Sequence, residues 1–207
     1  LKRIRKIFGR YIFTNFISKH FLAPNIVGKA YFDRMNDEFE SIKKHIDPKN
    51  KNFLSIGGGL GGLELIINKN YEVKYFNFIE RNFTSKKVKY GWDEDNNEAY
   101  NDLEMQNNFL IKNNMLPSKF KIFDYDKDKL PEGKFDIVIS LFSLDYHYDF
   151  DTYLEYLKTN THEESQIIFD TIRPDHFKDI FKEVIILKDR IKKIHGSKRI
   201  LCKSFLN

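Results

Sequence analysis

The stretch "FLSIGGGLGGLELI" (Phe53–Ile66) places five glycines within six positions, between two apolar segments. Glycine loses more conformational freedom on folding than any other residue, so such a cluster indicates backbone that turns tightly or lies against a ligand. The apolar residues before the cluster predict a short strand, and "LELII" (Leu63–Ile67) predicts a helix after it. A strand that leads through glycines into a helix directs backbone N–H groups and the positive helix end toward a ligand.

The spacing of the glycines fits two kinds of nucleoside-binding loop. Gly57, Gly59 and Gly62 fit the dinucleotide pattern G-x-G-x-x-G, whereas Gly57, Gly59 and Gly61 fit G-x-G-x-G. Glu80 ends the next predicted strand, 19 residues after Gly61, where a carboxylate accepts hydrogen bonds from ribose hydroxyls. The loop therefore predicts a nucleoside-containing cofactor and leaves open a nicotinamide dinucleotide or S-adenosylmethionine.

Strand-like and helix-like segments alternate after the glycine cluster. The predicted strands are Phe53–Ile56, Val73–Glu80, Phe120–Asp124, Phe135–Phe142 and Gln166–Ile172. Two further segments between them have helix length, Glu98–Asn113 and Asp149–Leu157. Strands that alternate with helices indicate a parallel sheet covered on both faces.

The C-terminal segment breaks this alternation. A strand is predicted from about Glu183, followed by a turn at residues 195–197 and a returning strand over Lys198–Leu206. A glycine-containing turn between two strand-like segments is typical of a hairpin. We therefore predict an α/β fold, a Rossmann-like doubly wound sheet that is mostly parallel with an antiparallel C-terminal strand, plus N-terminal helices.

The N-terminal part of the chain differs from the rest in charge. Residues 1–32 contain seven basic side chains and no acidic one, while the remainder is close to neutral. Apolar residues at helical spacing predict an amphipathic helix over residues 1–21, which packs on the domain or makes peripheral contact with an anionic membrane. A second helix is predicted over Ala30–Ile46. We expect residues 1–52 to form a helical lid on a Rossmann-like core of residues 53–207, within one domain of 207 residues.

Composition narrows the class of protein. No apolar run reaches the roughly 18 residues of a membrane span. Cys202 is the single cysteine, and no signal peptide opens the chain, so a cytoplasmic protein is expected. The lysine- and asparagine-rich usage is typical of an AT-rich bacterial genome. Oligomeric state stays open, and the near-neutral body predicts no nucleic-acid partner.

The segment Phe123–Leu157, together with "FLSIGGGLG" and the terminal hairpin, resembles the class I S-adenosylmethionine-dependent methyltransferases over roughly Phe53–Leu206. The resemblance implies S-adenosylmethionine as cofactor and S-adenosylhomocysteine as product. The cofactor-binding residues that it implies are Ser55, Gly57, Gly59, Gly61, Glu80, Asp124, Tyr125 and Leu141, with Asp124 and Tyr125 at the adenine.

One position departs from the pattern of this superfamily. An acidic residue usually precedes the first glycine by two positions, and this chain has Ser55 there. The resemblance implies that the acid fixes the methionine ammonium, so its absence predicts weaker binding through a bridging water. A methyltransferase-like protein that binds without catalysis is therefore kept as an alternative, beside a nicotinamide-dependent oxidoreductase.

The segment "LDYHYD" carries the candidate catalytic residues. It follows the strand Phe135–Phe142, at the edge where open α/β sheets bind ligands. We interpret His147 as a general base, because its ordinary pKa suits proton removal near neutrality, and Asp145 as a cofactor or substrate contact. Tyr146 and Arg173 are predicted to bind the substrate, and no metal site is predicted. The expected reaction is methyl transfer to a small molecule, at a hydroxyl oxygen, for example of a sugar or surface-glycan precursor.

Overall fold

The computed structural model describes residues 23–85, 91–93, 98–191 and 196–206. The amphipathic segment predicted over residues 1–21 lies outside the described residues. In chain order the elements are α1 (Pro24–Glu40), β1 (Asn52–Ile56), α2 (Gly62–Asn70), β2 (Tyr75–Glu80), β3 (Gly91–Asp93), β4 (Glu98–Tyr100), α3 (Leu103–Lys112), β5 (Phe120–Asp124), β6 (Phe135–Ser140), α4 (Leu154–Asn160), β7 (Thr161–Thr171), β8 (Phe181–Ile191) and β9 (Ser197–Phe205).

The main sheet has the predicted parallel arrangement and the predicted antiparallel C-terminal strand. Within the described ranges its seven strands lie in the order β5-β2-β1-β6-β7-β9-β8. Neighbouring strands from β5 to β7 are parallel, and β9 is antiparallel to both β7 and β8. The chain leaves β1 toward β2 on one side and later returns to β6 on the other. This reversal creates a crevice at the carboxyl end of β1, where open sheets bind ligands.

The alternation of side chains along the strands builds two apolar layers, one on each face of the sheet. Phe53 of β1 packs on one face with Phe76 and Phe78 of β2, beneath α2 and α3. Leu54 and Ile56 point to the other face, where aromatic side chains cover them. Because both faces are covered, β1 places apolar side chains on both sides of the sheet, as expected for a buried parallel strand.

Several predicted helix and strand boundaries were wrong, among them the start of the helix predicted from Ala30, which begins at Pro24, and of the strand predicted from Gln166, which begins at Thr161. Three further boundaries have an identifiable local cause. The second N-terminal helix ends at Glu40 rather than Ile46, because the Ser41 hydroxyl donates a hydrogen bond to the Glu38 carbonyl at 2.6 Å and the chain turns. Residues 98–100 form β4, and the helix predicted from Glu98 begins at Leu103, after Asp102 caps it. The strand predicted to reach Phe142 ends at Ser140, since the Ser140 hydroxyl accepts the Leu144 N–H and starts a turn.

A buried ion network joins α1 to the last strand. The guanidinium of Arg199 in β9 donates to both carboxylate oxygens of Asp170 in β7, at 2.8 and 3.0 Å, and to Glu38 of α1 at 2.7 Å. All three side chains are buried. The network fixes the position of α1 over the carboxyl edge of the sheet. Along the described residues, no helix is long and apolar enough to cross a membrane.

Replacing Arg199 with Ala is expected to lower the free energy of unfolding by about 3–5 kcal/mol, because it leaves Asp170 buried without its cation and removes one cation from Glu38, which keeps its ion pair with Arg34. Urea denaturation monitored by circular dichroism measures this change. Lys198→Ala is the matched control, since Lys198 forms an exposed ion pair with Asp189 that is worth less than about 1 kcal/mol. Equal losses in the two variants would contradict a structural role for the buried network.

Candidate active site

A pocket opens at the carboxyl ends of β1, β2 and β6, and we call it the glycine-loop pocket because residues 57–59 form its floor. Its walls combine side chains from six parts of the chain. They are Tyr31, Met35 and Glu38 of α1, Ser55 of β1, Leu63 and Glu64 of α2, Glu80, Arg81 and Asn101, and the segment after β6 with Leu141, Phe142, Ser143, His147 and Tyr148.

The glycine loop is held in a conformation that requires glycine. Gly57 has a φ of 64°, a backbone conformation that side chains with a Cβ rarely adopt, and a Cβ there would lie 1.9 Å from the Ser143 hydroxyl. Its N–H donates to the carbonyl of Ile79 in β2 at 3.0 Å. Gly61, with a φ of 79°, is the N-terminal cap of α2 rather than part of the pocket wall. The predicted strand, turn and helix are thus present.

Glu80 connects the loop to the end of β2. One carboxyl oxygen accepts the N–H of Gly59 at 2.8 Å, and the other accepts the amide of Asn101 at 3.3 Å. Burial, and to a smaller extent the nearby Glu64, raise the pKa of Glu80 to about 8 against the lowering effect of the Gly59 hydrogen bond. The carboxyl group faces the pocket, at the place predicted for a ribose contact.

The candidate base His147 also lies in the pocket wall. Its backbone N–H donates to the Ser143 carbonyl at 2.7 Å, which fixes the turn after β6. Burial lowers the pKa of His147 to about 4, so the imidazole is neutral at physiological pH. Next to it, the Ser143 hydroxyl donates to the Tyr148 hydroxyl at 2.8 Å, and burial raises the pKa of Tyr148 to about 12.

The pair Asp145 and Arg173 lies beside the pocket rather than in its wall. The Arg173 Nε donates to Asp145 at 3.0 Å, and the Thr171 hydroxyl donates to the other oxygen of the same carboxylate. Arg173 also contacts Asp149 at 2.9 Å. Asp145 is therefore engaged in an ion pair between the turn after β6 and the end of β7, and its role as a cofactor or substrate contact stays a prediction. Tyr146 packs its ring on His147.

The predicted adenine residues are level with Glu80 but outside the pocket wall. Asp124 of β5 is the register partner of Glu80, and its carboxylate accepts the N–H of Asp126 at 3.1 Å. Tyr125 is 41% exposed and packs against Tyr153. The structure thus brings together Ser55, Gly57, Gly59, Glu80, Leu141 and His147, and leaves Asp124, Tyr125, Asp145, Tyr146 and Arg173 at its margins.

Sequence reasoning missed several polar residues of the wall. Asn101 lies in the segment expected to be helical, so its side chain had no predicted direction. Glu64 was read only as part of an apolar helix, although a charged residue within "LELII" signals either a solvent-facing position or a buried function. Because Glu64 is only 1% exposed, its position is not a solvent-facing one.

The sheet order with a single antiparallel strand, and a glycine loop that faces an acid at the end of β2, define the fold of the class I S-adenosylmethionine-dependent methyltransferases. Many solved structures are similar to the chain, and two of them serve as examples. A candidate O-methyltransferase from Nostoc punctiforme matches 83% of this chain and 57% of its own, with a TM-score of 0.53 and 12% identity. The m1A22 tRNA methyltransferase TrmK from Bacillus subtilis matches 80% of this chain and 64% of its own, with a TM-score of 0.51 and 14% identity.

These similarities concern the fold. The chain spans less than two thirds of the length of either structure, at sequence identities far too low to carry over a substrate. No protein-family model and no curated protein sequence matches the chain. The predicted fold class and the predicted resemblance are confirmed, and the activity must be argued from the pocket itself.

The shifted pKa values of Glu80 and His147 predict how the free energy of unfolding depends on pH. Between about pH 6.5 and pH 8 the folded protein keeps a proton on Glu80 that the unfolded chain has lost, because the ordinary pKa of a glutamate is 4.5. Folding therefore binds protons in this window, and the free energy of unfolding falls as pH rises. His147 has the opposite effect, but only below its ordinary pKa of 6.5. We expect the free energy of unfolding to fall less between about pH 6.5 and pH 8 in Glu80→Gln than in the wild type.

Urea denaturation at four pH values between 6.5 and 8 measures these slopes. The control is Glu72→Gln, because Glu72 is exposed. Its slope is expected to equal that of the wild type. The same slope in Glu80→Gln as in the wild type would show that Glu80 holds no proton in this range.

Proposed function

We propose that this protein binds S-adenosylmethionine in the glycine-loop pocket and transfers its methyl group to the hydroxyl of a small molecule. One observation carries the proposal. At the end of β2, in the fold of class I methyltransferases, the buried carboxyl group of Glu80 is aimed into the pocket while it holds the N–H of Gly59. A carboxyl group at this place suits the two hydroxyls of a ribose.

The residues present fit such a cofactor. Gly57 has no Cβ, and the Ser143 hydroxyl therefore packs directly on the loop backbone at the edge of the pocket. The first turn of α2 adds the positive end of a helix and the carboxyl group of Glu64. On the other side, Leu141 and Phe142 supply an apolar wall. A ligand with a nucleoside at one end and a charged amino acid at the other matches this distribution.

When bound, S-adenosylmethionine supplies a methyl group that is already activated on a sulfonium, so the protein has to align the acceptor and exclude water. In our proposal α1 covers the pocket through Tyr31, Met35 and Glu38, which contribute to its wall. His147 holds the acceptor hydroxyl and takes its proton. Burial lowers the pKa of His147 to about 4, so the imidazole is neutral but a weaker base than an ordinary histidine. A weak base suffices in our proposal, because the acceptor oxygen becomes strongly acidic as it bonds to the methyl group.

The charges of the pocket favour a small, uncharged acceptor. Among the described residues of the wall there are three carboxyl groups, Glu38, Glu64 and Glu80, against the single guanidinium of Arg81. Apart from Arg81, no described side chain of the wall is a lysine or arginine that could pair with a phosphate backbone, so we propose no nucleic-acid substrate for this chain, although TrmK is a tRNA methyltransferase. The neutral polar side chains of Ser143, His147 and Tyr148 suit a hydroxyl-rich acceptor such as a sugar or surface-glycan precursor.

Calorimetric titration with S-adenosylhomocysteine, S-adenosylmethionine, NAD⁺ and NADH in parallel tests the cofactor. We expect binding of the first two ligands alone, and a loss of about 1–3 kcal/mol in Glu80→Gln, the cost of leaving buried hydrogen-bonding groups without their partner. The exposed Glu72→Gln serves as the control. Binding of the nicotinamide dinucleotides alone would favour an oxidoreductase, and binding of none of the four would favour a protein without this activity.

His147→Ala tests the catalytic role. With an acceptor found by screening hydroxylated small molecules, the turnover number is expected to fall about 10²- to 10⁴-fold, the range for loss of a general base. The affinity for S-adenosylhomocysteine should stay close to that of the wild type. Replacement of the more distant His176 is the control, since His176 lies on the short helix after β7. Full turnover in His147→Ala would remove the base from the proposal.

A further inference from the structure

A buried pair of side chains, Ser55 and Glu64, lies at the foot of the glycine loop. Ser55 is the penultimate residue of β1, at the end of the strand that faces the crevice, and Glu64 lies in the first turn of α2. The serine hydroxyl donates a hydrogen bond to Glu64 Oε1 at 2.6 Å. Both residues are 1% exposed, and both line the glycine-loop pocket.

The second oxygen of the Glu64 carboxyl group, Oε2, differs from the first in its hydrogen bonding. Within the part of the chain that the structure describes, Glu64 Oε2 has no hydrogen-bond partner. A buried carboxyl oxygen without a partner costs free energy, and burial accordingly raises the pKa of Glu64. Such a group is expected where a ligand supplies the missing donor.

The local backbone keeps space around the pair. A Cβ at Gly58 would lie 2.4 Å from the Ser55 hydroxyl oxygen and 3.1 Å from Glu64 Oε1. The glycine therefore lets the serine and the carboxyl group meet beneath the loop. Glu80, the other acid of this end of the pocket, already accepts from Gly59 and Asn101. Glu38, the third acid of the wall, is held by Arg199 and by an ion pair with Arg34. Among these three acids, Glu64 is thus the one with a carboxyl oxygen that has neither a hydrogen bond nor an ion pair within the described residues.

We propose that Glu64 binds the α-ammonium of the methionine part of S-adenosylmethionine through Oε2, and that Ser55 orients it. The inference rests on the proposed function. It also explains the departure at Ser55: the carboxylate missing from the end of β1 is supplied from α2, and the serine serves as its hydrogen-bond donor. A cation is the fitting partner because it compensates the charge that burial otherwise disfavours.

The test compares ligands that differ only at the amino acid end. S-adenosylhomocysteine carries the ammonium, 5′-(3-carboxypropyl)thio-5′-deoxyadenosine lacks only the amino group, and 5′-methylthioadenosine lacks the whole amino acid. Calorimetry of the wild type is expected to give an affinity about 10- to 100-fold lower for the deaminated analogue than for S-adenosylhomocysteine, the range for a charged hydrogen bond.

The variant Glu64→Gln should lower the affinity for S-adenosylhomocysteine by a similar factor and leave that for 5′-methylthioadenosine within about threefold. Glu72→Gln, on the exposed surface, should change neither. An equal loss for both ligands in Glu64→Gln would overturn the inference, because Glu64 would then act only by supporting the loop. No loss for either ligand would overturn it as well.

The ligand series in the wild type keeps the inference testable if Glu64→Gln does not fold. Equal wild-type affinities for S-adenosylhomocysteine and its deaminated analogue would then overturn the role of Glu64 while leaving the cofactor proposal intact. Failure of all three nucleosides to bind would instead overturn the proposed function, and this inference with it.

Discussion

The hydrogen bond from the N–H of Gly59 to the carboxyl group of Glu80 is the interaction on which the pocket depends. It closes the gap between two neighbouring strand ends, because Ile56 of β1 and Ile79 of β2 are register partners and the loop leaves directly after Ile56. In this position the loop directs its backbone into the crevice between β1 and β6. The buried carboxyl group of Glu80 thereby gains a backbone hydrogen bond, which offsets part of the unfavourable free energy of its burial.

The buried ion network of Glu38, Asp170 and Arg199 has a comparable role on the side of the pocket that α1 forms. Glu38 contributes to the pocket wall and also accepts a hydrogen bond from Arg199, which in turn is fixed by Asp170. The N-terminal helix, the end of β7 and the last strand therefore meet at one guanidinium. Phe142 connects this network to the acceptor side, since its N–H donates to Asp170 and its ring lies 5.6 Å from the Arg199 guanidinium.

The sequence predicted the features that depend on local pattern. The glycine cluster predicted the loop, the apolar runs predicted the buried strands, and Glu80 followed from the distance between two strand ends. The sequence did not predict which side chains contact one another, because the partners come from distant parts of the chain. Asp145 was expected in the site, yet Arg173, 28 residues away, holds it in an ion pair. Glu64 was overlooked because its direction depends on how α2 leaves the loop.

A crystal structure of the protein with S-adenosylhomocysteine tests the central claim most directly. The account predicts the ribose hydroxyls within hydrogen-bond distance of Glu80 and the amino group within the same distance of Glu64 Oε2, about 2.7–3.2 Å. The adenine is expected on the β5 side of the crevice. A ligand bound away from the glycine loop, or one whose ribose makes no contact with Glu80, would contradict the assignment of this pocket.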